Sequence, residues 1–325
     1  MPPLPQLAGF EFRMFRGASD YPHLVRIVNA EARRHGEDRV ETVEGLAASY
    51  DHLERCDPAR DLLVVEESAV PVAYSRVSWQ QPVDGPRTYS HVCFVDPQAQ
   101  CLGVGISLLA WNENRLREIA AEHDASEKVF EVWAGDRRTS ARALLESFGY
   151  EPYTYAAEMV RPTVDDLPDC PLPEGLEIRP VREEDLRTIW EADVEAFRDH
   201  WGFVEPTEAG FQRFLAFPYN DPTLWKVAWD EHGVAGQVMS FVDTAQNEML
   251  GRRRGWTESI STARRWRRRG VAKALVVESI RGLAARGMTE VALGVHTENP
   301  NRALDLYRGL GYEVVETWTT YRKPL

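Results

Sequence analysis

Hydrophobic and polar positions along the chain follow one pattern written twice. Near the start, Gly9-Phe10-Glu11-Phe12-Arg13-Met14-Phe15-Arg16 alternates apolar and polar side chains as a half-buried strand does, and Asp20 then opens an apolar helical periodicity. Near the middle, Gly175-Leu176-Glu177-Ile178-Arg179-Pro180-Val181-Arg182 repeats the alternation, and Asp185 opens a second helical pattern. Val64-Val65, Val70 to Val77 and Thr88 to Val95 predict a run of strands in the first copy. Leu224 to Ala228, Val234 to Val242 and Trp256 to Thr262 predict the same run in the second. Each run ends in a turn before another apolar helix, at Val95-Asp96-Pro97-Gln98-Ala99-Gln100-Cys101-Leu102-Gly103-Val104-Gly105 and at Thr262-Ala263-Arg264-Arg265-Trp266-Arg267-Arg268-Arg269-Gly270-Val271-Ala272. A last landmark closes each copy, Leu144-Leu145-Glu146-Ser147-Phe148-Gly149-Tyr150 and Leu306-Tyr307-Arg308-Gly309-Leu310-Gly311-Tyr312. Landmarks recurring in one order identify a tandem duplication of an α/β unit with helices on the faces of a mixed sheet. The expected division is 1–161, a Pro- and Asp-rich linker at 162–174, and 175–325.

Composition changes this picture little. A chain of 325 residues is long for one core, in keeping with two domains. No apolar stretch approaches the ~20 residues that span a bilayer, and Met1-Pro2-Pro3-Leu4-Pro5 lacks the basic start and apolar run of a signal peptide. A cytoplasmic protein with no membrane partner is expected. Cys56, Cys93, Cys101 and Cys170 are scattered without a C-x-x-C pair, so they read as free thiols, and no metal site is expected. The net charge of −13 argues against a nucleic-acid partner. The basic residues are unevenly spread, however: Arg252 to Arg254 and then Arg264, Arg265, Arg267, Arg268 and Arg269 crowd together, which suits a small anionic ligand.

The two loops carry the chemistry. Gly or Ala at Gln100-x-x-Gly103-x-Gly105 and Arg267-x-x-Gly270-x-Ala272 lets a ligand approach the backbone. The helix that follows offers free N–H groups and the positive end of its dipole, a site for pyrophosphate. Glycine turns before helices also occur for purely structural reasons. The Walker Lys-Ser/Thr arrangement is missing, and so are the third glycine and distal acid of a dinucleotide fold.

Both loops resemble the acetyl-CoA loop of the GNAT superfamily of N-acetyltransferases, and Asn299-Pro300-Asn301-Arg302-Ala303-Leu304-Asp305-Leu306-Tyr307 resembles that family's last strand–helix signature. The resemblance covers nearly the whole chain as two GNAT units, in an arrangement similar to tandem acetyltransferases such as mycothiol synthase. It implies two GNAT-like domains, each with a mixed, mostly antiparallel central sheet flanked by helices. It also implies acetyl-CoA as cofactor, with Cys93, Phe94 and Val95, and Ile260, Ser261 and Thr262, receiving the pantetheine arm through their backbones. Gln100, Cys101, Leu102, Gly103, Val104 and Gly105 would wrap pyrophosphate in the first copy. Arg267, Arg268, Arg269, Gly270, Val271 and Ala272 would do so in the second, where Asn299 resembles the family's cofactor-contacting Asn.

The family commonly places a tyrosine early in the last helix as general acid, and Tyr307 occupies that place. Counted back from Gly149 and Gly311, the first copy has Leu145 there, and Gly135-Asp136-Arg137 stands in for Asn299. Glu258, on the strand before the pantetheine segment, is the leading general base, with His296 and His200 as fallbacks. The first copy is therefore expected to be non-catalytic. Arg198 to Thr207, mixing aromatic, acidic and His groups, suits a wall of the acceptor site. The expected activity is acetyl-CoA-dependent N-acetylation of the primary amine of a small molecule. A non-catalytic CoA-binding regulatory module is the alternative, disfavoured because a sensor needs no acid–base pair. The sequence leaves open the acceptor, the acyl length and the oligomeric state.

Overall fold

The computed structural model describes residues 1–124, 127–297 and 303–325. They form two compact units, Met1–Thr154 with Trp318–Leu325, and Tyr155–Thr317.

The first unit runs β1 (Glu11–Met14), α1 (Tyr21–His35), α2 (Val43–Asp51), α3 (Pro58–Asp61), β2 (Leu62–Glu67), β3 (Val70–Gln80), β4 (Arg87–Val95), α4 (Val104–Ala121), β5 (Lys128–Gly135), α5 (Thr139–Ser147) and the start of β6 (Glu151–Arg161). Its helices begin and end where side chains allow. Pro22 opens the first turn of α1, and Gly36 closes it at φ +65° behind Arg33, Arg34 and His35, whose charges suit the helix C-terminus. Neighbouring strands pair antiparallel except β4 with β5. The sheet is completed from the far end of the chain, residues 318–324 pairing antiparallel with β5.

The second unit repeats the plan. It holds the end of β6, then β7 (Glu177–Arg179), α6 (Leu186–Phe197), α7 (Glu208–Leu215), β8 (Lys226–Asp230), β9 (Gly233–Phe241), α8 (Thr244–Leu250), β10 (Arg254–Thr262), α9 (Val271–Ala285), β11 (Glu290–His296), α10 (Ala303–Arg308) and the start of β12 (Glu313–Pro324). Again one neighbouring pair, β10 with β11, is parallel and the rest antiparallel. Residues 156–161 complete this sheet against β11. The mixed, mostly antiparallel sheet flanked by helices is as expected. The unit bounds differ from the linear division at 161 and 175, because strand pairing assigns 155–161 and 318–325 by partner rather than by chain order.

Residues 162–174 are also more than a tether. Val164, Leu167, Cys170 and Leu172 pack on the core built from Leu275, Val276, Ile280, Leu293 and Tyr312. Partial burial of these apolar side chains docks the Pro-rich segment on the core. No helix among the described residues is long and apolar enough to cross a membrane.

Candidate active site

In the second unit, β10 and β11 run side by side from Arg254 opposite Glu290 to Trp256 opposite Ala292, and then part. The root of this fork is pinned by Arg254, whose guanidinium donates to Glu158 (2.9 Å) and Glu290 (2.7 Å). Just beyond the last paired rung, Glu258 reaches across, and its Oε1 accepts the Gly294 N–H at 2.8 Å. Burial pushes its carboxyl up to about 7; the Gly294 N–H opposes the rise and the nearby charge of Glu158 adds to it. A carboxylate poised near neutrality at the apex of a fork is suited to take a proton.

Tyr307 is 6% exposed and packs its ring 6.0 Å from that of Tyr312. Burial raises its phenol well above the ordinary range, and the charge of Glu258 raises it further, so the two groups lie within electrostatic reach. Tyr312 is tied to the strand by a 3.1 Å hydrogen bond with the Thr257 hydroxyl. Asn299 lies outside the described residues.

Between Glu258 and Ser261, β10 carries a bulge: Ser259 and Ile260 both face Val238 of β9. Ser259 sits at φ +46°, a left-handed value unusual for a residue with a side chain. A bulge leaves its extra residue unpaired and turns the strand. The backbone of Ser259 to Thr262, unpaired with β11 beyond the fork, thereby has groups to offer a ligand.

The following loop brings Gly270 to φ +87° at the N-terminus of α9, and a Cβ there would meet nothing within 4 Å. Phosphate oxygens fit such open space above free N–H groups. The arginines divide into two sets. Arg264 and Arg267 pair with Asp199, Arg265 with Asp230, and Arg267 also donates to the Ala196 carbonyl, fastening the loop to α6 and β8. Arg269 lies over the Trp266 ring, 5.1 Å from its centroid, and Arg268 makes no ion pair among the described residues. Arg268 and Arg269 are thus the arginines of this loop not held by a carboxylate among the described residues. We expect Arg268→Ala with Arg269→Ala to weaken acetyl-CoA binding about ten-fold at low salt, and by less as salt screens the charges. Titration calorimetry showing unaltered affinity at low salt would exclude a role for them in cofactor binding.

The first unit has the same loop with different surroundings. Cys101 (φ +62°) and Gly103 (φ +89°) match Arg268 (φ +61°) and Gly270 (φ +87°), so the backbone cradle is repeated. Leu7, however, lies 3.4 Å from where a Cβ on Gly103 would stand and covers the loop. Strand β4 pairs with β3 rung for rung from Gln80 opposite Thr88 to Ala73 opposite Val95, without a bulge. Because the bulge adds a residue to β10, its rung of Glu258 opposite Met239 corresponds to Val92 opposite Arg76 in the first unit, so an apolar Val92 stands in the place of Glu258, and Thr257 is matched by His91. His91 is buried against Tyr150 (3.2 Å), and burial lowers its pKa to about 4, leaving a poor base. Leu145, in the place of Tyr307, packs in the core. Arg138 lies over the ring of Phe94 and is held by Glu37 and Glu31. Cys93 accepts from Asn112 at 3.1 Å, and burial pushes its thiol up to about 12, which makes it an inert core group rather than a nucleophile.

The fallback bases come together. The rings of His200 and His296 meet edge to face at 5.0 Å, and Trp201 lies 5.6 Å from His296, forming one wall beside the end of β11. Burial and the neighbouring His200 lower the pKa of His296, so it serves as a neutral polar wall better than as a cation. Sequence reasoning missed Asp193 on α6, whose carboxyl is pushed up to about 7 by burial, with Ser261, Gln237 and Ser259 opposing the rise. An acidic residue within the apolar repeat of α6 was the available signal.

The second unit thus combines a strand fork, a carboxyl raised towards neutrality, a buried phenol and an open glycine turn before a helix. The acetyltransferase (GNAT) family profile matches residues 24–150 and again 186–312, and the chain belongs to that family. It is 26% identical over 309 residues to the mycothiol acetyltransferase of Streptomyces bingchenggensis, covering 92% of this chain and 91% of that one. The mycothiol acetyltransferase of Thermobispora bispora is 29% identical over 214 residues, covering 64% and 70%. Among solved structures, a GCN5-related N-acetyltransferase from Sphaerobacter thermophilus superposes with a TM-score of 0.74 at 26% identity, covering 99% of this chain and 97% of that one. A tandem GNAT protein from the clavulanic acid biosynthesis pathway shares the fold, with a TM-score of 0.67 at 15% identity over 97% and 98% of the two chains. The protein is an acyltransferase of tandem GNAT architecture.

Proposed function

We propose that the second unit transfers an acetyl group from acetyl-CoA to the primary amine of a small molecule. The observation that carries this reading is Glu258, half-buried where β10 and β11 part, with its Oε1 on the Gly294 N–H at 2.8 Å and its carboxyl within electrostatic reach of Tyr307. Bound acetyl-CoA supplies an acyl thioester, for which the open Gly270 cradle and the unpaired backbone of β10 have the right form. Glu258 takes the proton the amine sheds as its nitrogen bonds to the acyl carbon. Tyr307 gives a proton to the sulfur as the C–S bond breaks, and the proton held by Glu258 then passes through solvent to the Tyr307 oxygen, restoring both groups.

The two groups act in order because they are coupled. While Glu258 is charged it raises the Tyr307 pKa. Once Glu258 has taken the amine proton that influence ends, and the phenol becomes a stronger acid as the thiolate departs. The mycothiol acetyltransferase relatives support a small-molecule acceptor. The first unit is proposed as scaffold, since it keeps the loop but has Leu7 over it and neither acid nor base.

Tyr307→Phe tests the assignment. Turnover at saturating amine is expected to fall by about 10- to 100-fold while CoA affinity stays within two-fold, because a proton donor is lost and no cofactor contact. Unchanged kcat would remove Tyr307 from the chemistry.

A further inference from the structure

The bulge in β10 coincides with a change of chemistry beneath it. Asp193 of α6 faces the sheet where Gln237 of β9 stands opposite Ser261 of β10. Counted from the first residue of each helix, Tyr21 and Leu186, its counterpart in the first unit is Val28. One rung in from the paired ends, Tyr74 opposite Phe94 corresponds to Gln237 opposite Ser261. Val28, Tyr74 and Phe94 belong to one apolar cluster, with the two rings stacked 5.3 Å apart. The copy with apolar groups at these positions has a regular strand. The copy with a carboxyl, an amide and a hydroxyl there has the bulge. The fold tolerates either set, so the polar set belongs to the bulge and not to the architecture.

The cluster is costly to keep. The Asp193 carboxyl lies near enough to Ser261, Gln237 and Ser259 for each to favour its charged form. Yet neither its Oδ1 nor either amide atom of the fully buried Gln237 closes a hydrogen bond of standard geometry among the described residues. Buried polar atoms left so weigh against the folded state. An apolar stack, as in the first unit, would avoid that cost. Ser259 is the bulged residue itself, and its left-handed backbone needs outside support to persist.

We propose that Asp193 is a positioning residue: with Gln237 it seats Ser259 and Ser261 so that the β10 bulge is held and its backbone N–H groups present themselves to the acyl carbonyl in the fork. An inserted residue reverses which backbone groups point towards β9 and which away, so losing the bulge would turn those donors aside. Asp193 touches neither donor nor acceptor in this account; it acts through the strand.

This rests on the acetyl-CoA reading above, and the test separates the two. Calorimetric titration of wild type, Asp193→Val (the first unit's residue) and Asp193→Asn with acetyl-CoA and with CoA reads the acyl contact alone. Asp193→Val is expected to bind acetyl-CoA about ten-fold more weakly, the loss of one or two hydrogen bonds, while binding CoA within two-fold of wild type. Asp193→Asn keeps hydrogen-bonding groups at the same place and should restore acetyl-CoA binding. Equal affinities in all proteins would overturn the proposal, as would a matched loss of CoA and acetyl-CoA in Asp193→Val, which marks general damage. If wild type bound neither, the cofactor reading would fail instead. Amide exchange at Ser261 and Thr262 would then decide, faster in Asp193→Val than in Asp193→Asn if the bulge depends on the carboxyl, and equal if it does not.

Discussion

Glu258→Gln is expected to lower kcat by about 10²–10⁴-fold, the range that general acid–base catalysis supplies. The substitution is nearly isosteric, and the amide oxygen can still accept the Gly294 N–H that Glu258 Oε1 accepts at 2.8 Å, so the fork should keep its shape. What is lost is proton affinity. Because burial raises the Glu258 carboxyl to about 7, wild-type kcat/KM should bend near pH 7 as the base ionises, on top of the rise set by each amine's own deprotonation. The variant should lack the bend near 7 and keep only the amine's limb. Stability moves the other way. A carboxyl whose pKa rises from 4.5 in the unfolded chain to about 7 on folding contributes stability below pH 4.5 and loses it as pH climbs to 7. Glu258→Gln should therefore melt above wild type at pH 8 and level with it at pH 4. CoA release from acetyl-CoA with a panel of primary amines checks the first expectation, and thermal unfolding at the two pH values checks the second. A bend near pH 7 retained in the variant would place the base elsewhere.

The second large effect is an asymmetry between the loops. Gly103 and Gly270 share a left-handed backbone, φ +89° and +87°, so a side chain at either costs similar strain, about 1–2 kcal/mol. Only the space above them differs. A side chain on Gly270 projects into the open cradle, where Glu would fill the phosphate site and repel its charge; one on Gly103 meets Leu7. Gly270→Glu is expected to reduce activity by more than about 10³-fold, the lost interaction being charge-assisted and multidentate. Gly103→Glu should leave most activity in the fraction that folds, measured by CoA release per folded molecule. The reverse ranking would move the chemistry to the first unit.

Much of this was legible because it is local. The duplication, the glycines before α4 and α9, and Tyr307 standing against Leu145 all lie within short windows where spacing carries meaning. Glu258 could be placed on a strand, but the fork that gives it Gly294 as partner depends on where two strands part, which no window contains. The same holds for Leu7 over Gly103, and for Asp199 taking up Arg264 and Arg267: the sequence shows a run of arginines, and only folding shows which are spoken for. Asp193 was overlooked because one polar residue in an amphipathic helix carries no weight until its opposite number, Val28, is found in an apolar cluster. The segment 162–174 reads as linker by composition, and its few apolar residues suffice to dock it.

If the second unit works and the first supports it, a crystal structure of the Glu258→Gln protein with acetyl-CoA will show the thioester in the fork between β10 and β11. Its carbonyl oxygen is expected on the bulged backbone, its sulfur within hydrogen-bond reach of the Tyr307 hydroxyl, and the pyrophosphate above Gly270. Acetyl-CoA held instead by Gln100 to Gly105 of the first unit, with none in the second fork, would place the chemistry in the first unit.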